Sequence, residues 1–206
     1  MTRLLIIDGN ALLYRAFFAL PDFSRGVGIP THAVHGFIGM VHKAIQDYRP
    51  THLVVCFDAP GPRLRNEYAP DYQNHRPKAP DTLVVQMKLA RELCDAAGIT
   101  HLELPGYEAD DIQATLVAKF KKDFQHIYIL TGDKDILQLV DDTVTVIMLK
   151  TGLSKVDEYT PAKVSEKFGV PASQITDLKA IMGDASDGYK GVAGIGPKGA
   201  VDLICT

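Results

Sequence analysis

The sequence predicts an α/β fold with a mainly parallel central sheet flanked by helices on both faces. Three observations carry this. Apolar, β-branched runs recur at Leu4–Ile7, Leu53–Phe57, Thr100–Leu104, Ile127–Leu130 and Val144–Leu149. Helical apolar spacing fills several of the intervals, at Ala33–Tyr48, Leu83–Ala97 and Ala109–Phe120, and strands alternating with helices of this length make βαβ units. The chain has 206 residues, 46% of them hydrophobic, enough for one large domain or one domain with a small appendage.

Met1-Thr2-Arg3 precedes too short an apolar run for a signal peptide, so Leu4–Ile7 reads as an opening strand, and it ends in Asp8. Leu53–Phe57 ends in Asp58. Residues 59–81, rich in Pro, Arg, Tyr and His, break the α/β rhythm and read as a flexible, partly helical excursion. Glu108-Ala109-Asp110-Asp111 follows Pro105-Gly106-Tyr107 and opens a helix, with Glu108 and Asp111 sharing a face. Ile127–Leu130 runs into Asp133 and Asp135, so three separate strands deliver a carboxylate to one sheet edge. The glycine-rich stretch from Gly183 to Ala200 reads as turns with short helices and carries the pair Asp184 and Asp187. No internal repeat is evident.

Cys56, Cys94 and Cys205 are odd in number and lack metal-ligand spacing, so they read as reduced thiols in a cytoplasmic protein. No run approaches the roughly 20 apolar residues that span a bilayer, and no membrane association is expected. The net charge of −3 argues at first sight against nucleic acid. With nine acids gathered at one metal site, however, the 22 Lys and Arg outnumber the acids that remain, and bound cations would offset much of the cluster.

Those nine are Asp8, Asp58, Glu108, Asp110, Asp111, Asp133, Asp135, Asp184 and Asp187. In open α/β sheets, ligands bind at the carboxyl ends of the strands. Singly, each acid has a plainer reading as a turn residue, a helix cap or a solvated loop acid. Five groups at separate strand ends and helix starts are harder to dismiss together. If they converge, like-charge repulsion demands cations, and hard oxygen ligands select Mg²⁺ or Mn²⁺. A pair of such ions about 3.5–4 Å apart is a known device for hydrolysing phosphodiesters without a nucleophilic side chain.

From residue 4 to about residue 204 the order and spacing of these motifs are similar to a family. Ile7-Asp8-Gly9-Asn10 with Leu13-Tyr14-Arg15-Ala16-Phe17, Phe57-Asp58, Gly106-Tyr107-Glu108-Ala109-Asp110-Asp111, Thr131-Gly132-Asp133-Lys134-Asp135 and Gly183-Asp184-Ala185-Ser186-Asp187 resemble the 5′-nuclease domain of bacterial DNA polymerase I and related flap endonucleases. The resemblance implies a PIN-like (Rossmann-like) core over residues 1–176, with residues 59–81 as a helical arch or clamp. Residues 177–206 would be a partial helix-hairpin-helix element of the H3TH type, truncated at Thr206. It implies two metal groups: a tighter one from Asp8, Asp58, Glu108, Asp110 and Asp111, and another from Asp133, Asp135, Asp184 and Asp187. The expected cofactors are two Mg²⁺ or Mn²⁺ ions, with K⁺ at the helix-hairpin-helix. The expected activity is that of a 5′-3′ exonuclease or flap endonuclease in replication and repair. Its partner would be DNA bearing 5′ flaps, nicks or branches, or RNA–DNA primer junctions. A monomer is expected, with a polymerase domain fused in the full-length protein.

Arg15 matches a family arginine and, with Arg76, is assigned to the catalytic set; both would bind phosphate. The run from Arg63 to Arg76 interleaves cations with aromatics, which suits phosphate contact and base stacking on a single strand. It supplies Arg63, Arg65, Tyr72, Gln73, His75 and Arg76 as DNA-contact residues. Gly194, Gly196 and Lys198 extend that set, because glycines let backbone N–H groups approach phosphates and the lysine adds charge.

Three departures stand out. The arch of the family usually reads Tyr-Lys-x-x-Arg, but Gln73 holds the lysine position, and an amide cannot neutralise developing phosphoryl charge. Gly188-Tyr189-Lys190 stands where Asn, an apolar residue and Pro are usual, and Gly199 replaces a common threonine. The chain also stops inside the helix after Lys198. The alternative expectation is therefore a structure-specific DNA-binding module with weak or no cleavage. A PIN-type ribonuclease shares the strand-end acids but not the arch or hairpin. A Rossmann oxidoreductase lacks support, because Asp8-Gly9-Asn10 is no pyrophosphate turn.

Overall fold

The computed structural model describes residues 2–25, 28–70, 72–73 and 77–206. Its centre is a six-stranded sheet of β1 (Arg3–Asp8), β4 (His52–Cys56), β5 (His101–Leu102), β6 (His126–Thr131), β7 (Val144–Leu149) and β8 (Val156–Tyr159). The spatial order is β5-β4-β1-β6-β7-β8, all parallel except β8, which pairs antiparallel with β7. A two-stranded antiparallel hairpin, β2 (Ser24–Arg25) and β3 (Ile29–Pro30), lies outside it.

The expected strands and helices are present with ends shifted by a residue or two, except β5. That edge strand ends at Leu102, before exposed Glu103 and Leu104 and the helix-breaking Pro105. Alternate residues of β1 serve opposite faces. Leu4 and Ile6 pack with Ala109 and Val117 of α5 (Ala109–Phe120), Val164 of α6 (Pro161–Phe168), and Ile175 and Leu178 of α7 (Ile175–Met182). Leu5 and Ile7 pack with Leu12 and Ala16 of α1 (Gly9–Ala19), Phe37 and Val41 of α2 (His32–Tyr48), and Leu83 and Ala90 of α4 (Asp81–Ala96). Because helices cover both faces, the strands need apolar residues at every position, which is why they read as continuous runs.

Among its described residues the excursion after β4 holds one helix of four residues, α3 (Arg65–Tyr68), none of them buried. At the other end, α8 (Pro197–Ile204) packs on α7 through the buried Ala200. Among the described residues no helix is long and apolar enough to cross a membrane.

Candidate metal centre

The chain runs outward from β1 to β4 and β5, then crosses back to β6 on the other side of β1. The carboxyl ends of β1 and β6 therefore flank the crevice at a topological switch point. Asp8 closes β1 and caps α1. One of its oxygens accepts the Ala11 N–H at 2.8 Å, and the other accepts the Thr131 hydroxyl from the end of β6, also at 2.8 Å. Burial, with the charges of Asp58 and Asp133 and against the pull of those two donors, pushes the Asp8 carboxyl up to about 7. A cation bound beside this carboxyl would favour its charged form and offset the charges of Asp58 and Asp133.

Gly9 is required where it stands, because a Cβ there would meet the Phe57 ring at 2.2 Å. That approach sets the end of β1 against the end of β4 and its neighbour Asp58. Asp58 accepts the Ala109 N–H and the Asn10 side-chain amide, each at 2.8 Å, and its carbonyl accepts Arg91 at 3.0 Å.

The start of α5 fixes the next acids by a reciprocal cap. The Glu108 side chain takes a helical N–H, and Asp111 takes the Glu108 N–H at 3.0 Å. Their charge is met by the excursion. Arg63 Nε lies 2.9 Å from Glu108, while Arg65 pairs with Glu108, with Asp110 at 3.1 Å and with Asp111 at 2.8 Å. Burial raises the Glu108 carboxyl, and the two arginines oppose that rise. Tyr72 lies under the Arg65 guanidinium, 5.7 Å from its ring centre.

A second group gathers beyond β6. Asp135, Asp184 and Asp187 each place a carboxylate oxygen within 4.8 Å of the others. Lys179 of α7 lies 2.5 Å from Asp184 and also pairs with Asp135. Burial pushes Asp184 up, but Lys179 and Ser186 overcome it and hold the carboxyl at about 2. Gln73, 8% exposed with a left-handed φ of 55°, donates to Asp187 at 3.2 Å and to the Tyr72 hydroxyl at 2.8 Å. Asp133 stands between the groups: it accepts the Asp135 N–H at 2.9 Å, yet its charge is felt at Asp8.

One cleft is lined by Asp8, Asp58, Glu108 and Asp110, which come from the β1, β4 and α5 side of the switch point, and by Asp133, Asp135, Asp184 and Asp187, which come after β6. Asp111 is tied to it through Arg65. Arg15 lines the same cleft but points its guanidinium at the carbonyls of Leu149, at 3.3 Å, and Lys150, at the end of β7. Gly194 and Gly196 are exposed with open space where a Cβ would stand, and Lys198 is exposed at the start of α8. His75 and Arg76 lie outside the described residues. Sequence reasoning missed three contributors: Asn10, Thr131 and Lys179. The first two were signalled by polar residues at the ends of apolar strands, and Lys179 by a cation about one helical turn before the Asp184 pair.

An all-carboxylate donor set with raised acids suits a hard divalent cation. Residues 3–169 match the family described as 5′-3′ exonuclease, N-terminal resolvase-like domain. The chain is 44% identical over 202 residues to DNA polymerase I of Bacillus subtilis, covering 98% of this chain and 23% of that protein. It is 44% identical over 204 residues to a 5′-3′ exonuclease of Aquifex aeolicus, covering 99% of this chain and 69% of that one. The chain thus spans under a quarter of the polymerase relative. Among solved structures, bacteriophage T5 5′-exonuclease with bound divalent zinc superposes with a TM-score of 0.83 at 25% identity, over 98% of this chain and 74% of that one. A complex of bacteriophage T5 flap endonuclease with DNA and metal ions gives the same values.

Proposed function

The chain belongs to the 5′-3′ exonuclease family, and on that premise we propose that it is a metal-dependent 5′-nuclease, hydrolysing DNA at 5′ ends, flaps or nicks. The observation that carries the reading is the convergence of acids from three strand ends, the start of α5 and the turn after α7 on one cleft at the switch point. In this reading Asp8, Asp58, Glu108, Asp110 and Asp111 would hold one Mg²⁺ or Mn²⁺ ion, and Asp133, Asp135, Asp184 and Asp187 a second. Bound there, such ions polarise the scissile phosphate and lower the pKa of water.

The rest falls to the chain's own side chains. Thr131, Asn10 and the Ala11 and Ala109 N–H groups orient the Asp8 and Asp58 carboxylates. Arg15, Arg63, Arg65 and Tyr72 line or overhang the cleft and would position the 5′ strand, with His75 and Arg76 continuing the same arch. The exposed glycines and Lys198 would meet the duplex backbone, with K⁺ as a local counter-ion. The reading divides the chain into a nuclease core over residues 1–176 and a DNA-binding element over 177–206. It also envisages a monomer in the cytoplasm, where its unpaired cysteines stay reduced, acting beside a polymerase on flaps and primer junctions.

The test is cleavage of a 5′-labelled DNA flap with Mg²⁺, with Mn²⁺ and with EDTA, comparing wild type with Gln73→Lys. Metal-dependent release of short 5′ products by the wild type is expected, with faster release by the lysine variant, which restores a cation beside the phosphate. Flap binding without cleavage by either protein would replace the nuclease with a binding module.

A further inference from the structure

Two clusters of acids in the cleft are met by protein cations, Arg63 and Arg65 at the start of α5 and Lys179 beyond β6, and the lysine is carried by a helix packed into the core. Lys179 lies within α7, whose flanking Ile175 and Leu178 are each 3% exposed, and its own side chain is 23% exposed. Its ammonium sits between carboxylates from two separate elements. Asp135 opens the 3₁₀ turn Asp135–Leu139 after β6, and Asp184 follows α7. With Asp187 they offer oxygens within 4.8 Å of one another, so the ammonium occupies space that a cation coordinated by this group would use. Lysine is a compact point charge with three donors and can satisfy two carboxylates at once.

We propose that Lys179 is a resident cation of the second acid group: it takes the place of a divalent ion between Asp135 and Asp184 and sets how weakly that group binds metal. The proposal rests on the metal-dependent reading above. A Mg²⁺ ion demands near-octahedral oxygens at about 2.0–2.1 Å. It can reach that geometry here only by displacing the ammonium, or by using Asp187 and the outward oxygens alone. The lysine also lowers the group's net negative charge, which reduces its attraction for a divalent ion. The second group is therefore the weak site, and Lys179 determines its affinity.

The test is Mn²⁺ binding to the protein without DNA, followed by calorimetry and by the electron paramagnetic resonance of free Mn²⁺, for wild type, Lys179→Met and Lys179→Arg. The wild type should show a tight and a weak site. Lys179→Met, of similar length without charge, should tighten the weak site about tenfold or more and leave the tight site unchanged, a change on the scale of altered metal surroundings. Lys179→Arg should stay close to wild type. An unchanged weak site in a folded Lys179→Met protein overturns the proposal while leaving the metal-dependent reading intact. No Mn²⁺ bound by the wild type overturns both. Should Lys179→Met not fold without metal, the wild type decides: the side-chain ¹³Cε resonance of Lys179 should shift as the second equivalent of Mg²⁺ binds, and a resonance that stays fixed overturns the proposal.

Discussion

The two acid groups share one cleft but are neutralised by different kinds of cation. At the start of α5, Glu108, Asp110 and Asp111 are met by Arg63 and Arg65, carried on an excursion whose short helix buries nothing. Beyond β6, Asp135 and Asp184 are met by Lys179, held in a helix that packs into the core. Hydrogen bonds hold acids in both groups: the reciprocal cap at Glu108 and Asp111, and the Ser186 N–H on Asp184. What differs is how the opposing charge is anchored. An arginine on a loop leaves when the loop moves, whereas a lysine on a packed helix has to be displaced in place. On this contrast the second group, whose lysine must be displaced where it stands, is the one that holds a metal ion more weakly.

Replacing one acid in each group sharpens the contrast most. Asp111→Asn keeps the volume and the cap position but removes charge from the first group, and flap cleavage should fall about 10²–10³-fold with the melting temperature nearly unchanged. Asp187→Asn should slow turnover less, by about tenfold, since Asp135 and Asp184 remain beside Lys179. Equal losses from the two variants, read in single-turnover kinetics, would erase the distinction between the groups.

Arg65→Ala tests the loop side. It removes the pairs to Glu108, Asp110 and Asp111 together, and proteolysis within residues 59–81 should accelerate several-fold without metal, while cleavage near α7 stays at the wild-type rate. Because Arg65 is about a third exposed, solvent screens these pairs and global stability should change little. An excursion that stays protected in the variant would mean that Leu64, whose N–H bonds the Gly106 carbonyl at 2.9 Å, is enough to hold it.

The smallest effect is that of pH without divalent metal. Burial first, then Asp58 and Asp133, raise the Asp8 carboxyl to about 7 in the folded protein, against about 4 in an unfolded chain. The folded state thus holds the extra proton across that window, so its stability declines as pH rises from about 4 through 7. Asp184, held at about 2, acts the other way, and its contribution disappears only as pH falls below about 4. Between pH 5 and 8 the metal-free melting temperature should drop by a few degrees, and saturating Mg²⁺ should abolish the drop. A flat metal-free profile would show that Asp8 is ionised in the fold at no cost.

The sheet and its acids were legible because strands covered on both faces must be apolar throughout, so the first carboxylate after each run marks a strand end. Asp8 and Asp58 follow directly from that logic. The antiparallel β8 was not legible, since Val156-Asp157-Glu158-Tyr159 is a short, half-polar edge strand without a continuous apolar run. Nor was the docking of Arg65. The interleaved cations and aromatics of residues 63–76 suggest a surface for nucleic acid, but nothing in local spacing says that the guanidinium folds back across more than 40 residues onto Glu108. Asp133 likewise belongs by sequence with Asp135, while its charge is felt at Asp8. Periodicity identifies faces and ends; which charges meet across the cleft depends on the paths of loops.

The strand order has one more consequence. β1 lies at the middle of the sheet and contributes Asp8, whereas Asp184 and Asp187 come only after the last strand of that sheet, β8, and after α7. A polypeptide emerging from the ribosome therefore cannot complete the cleft until residue 187 has cleared the exit tunnel. The final carboxylates arrive with Lys179 just ahead of them, so the last charges to join the cluster bring a counter-charge with them during synthesis.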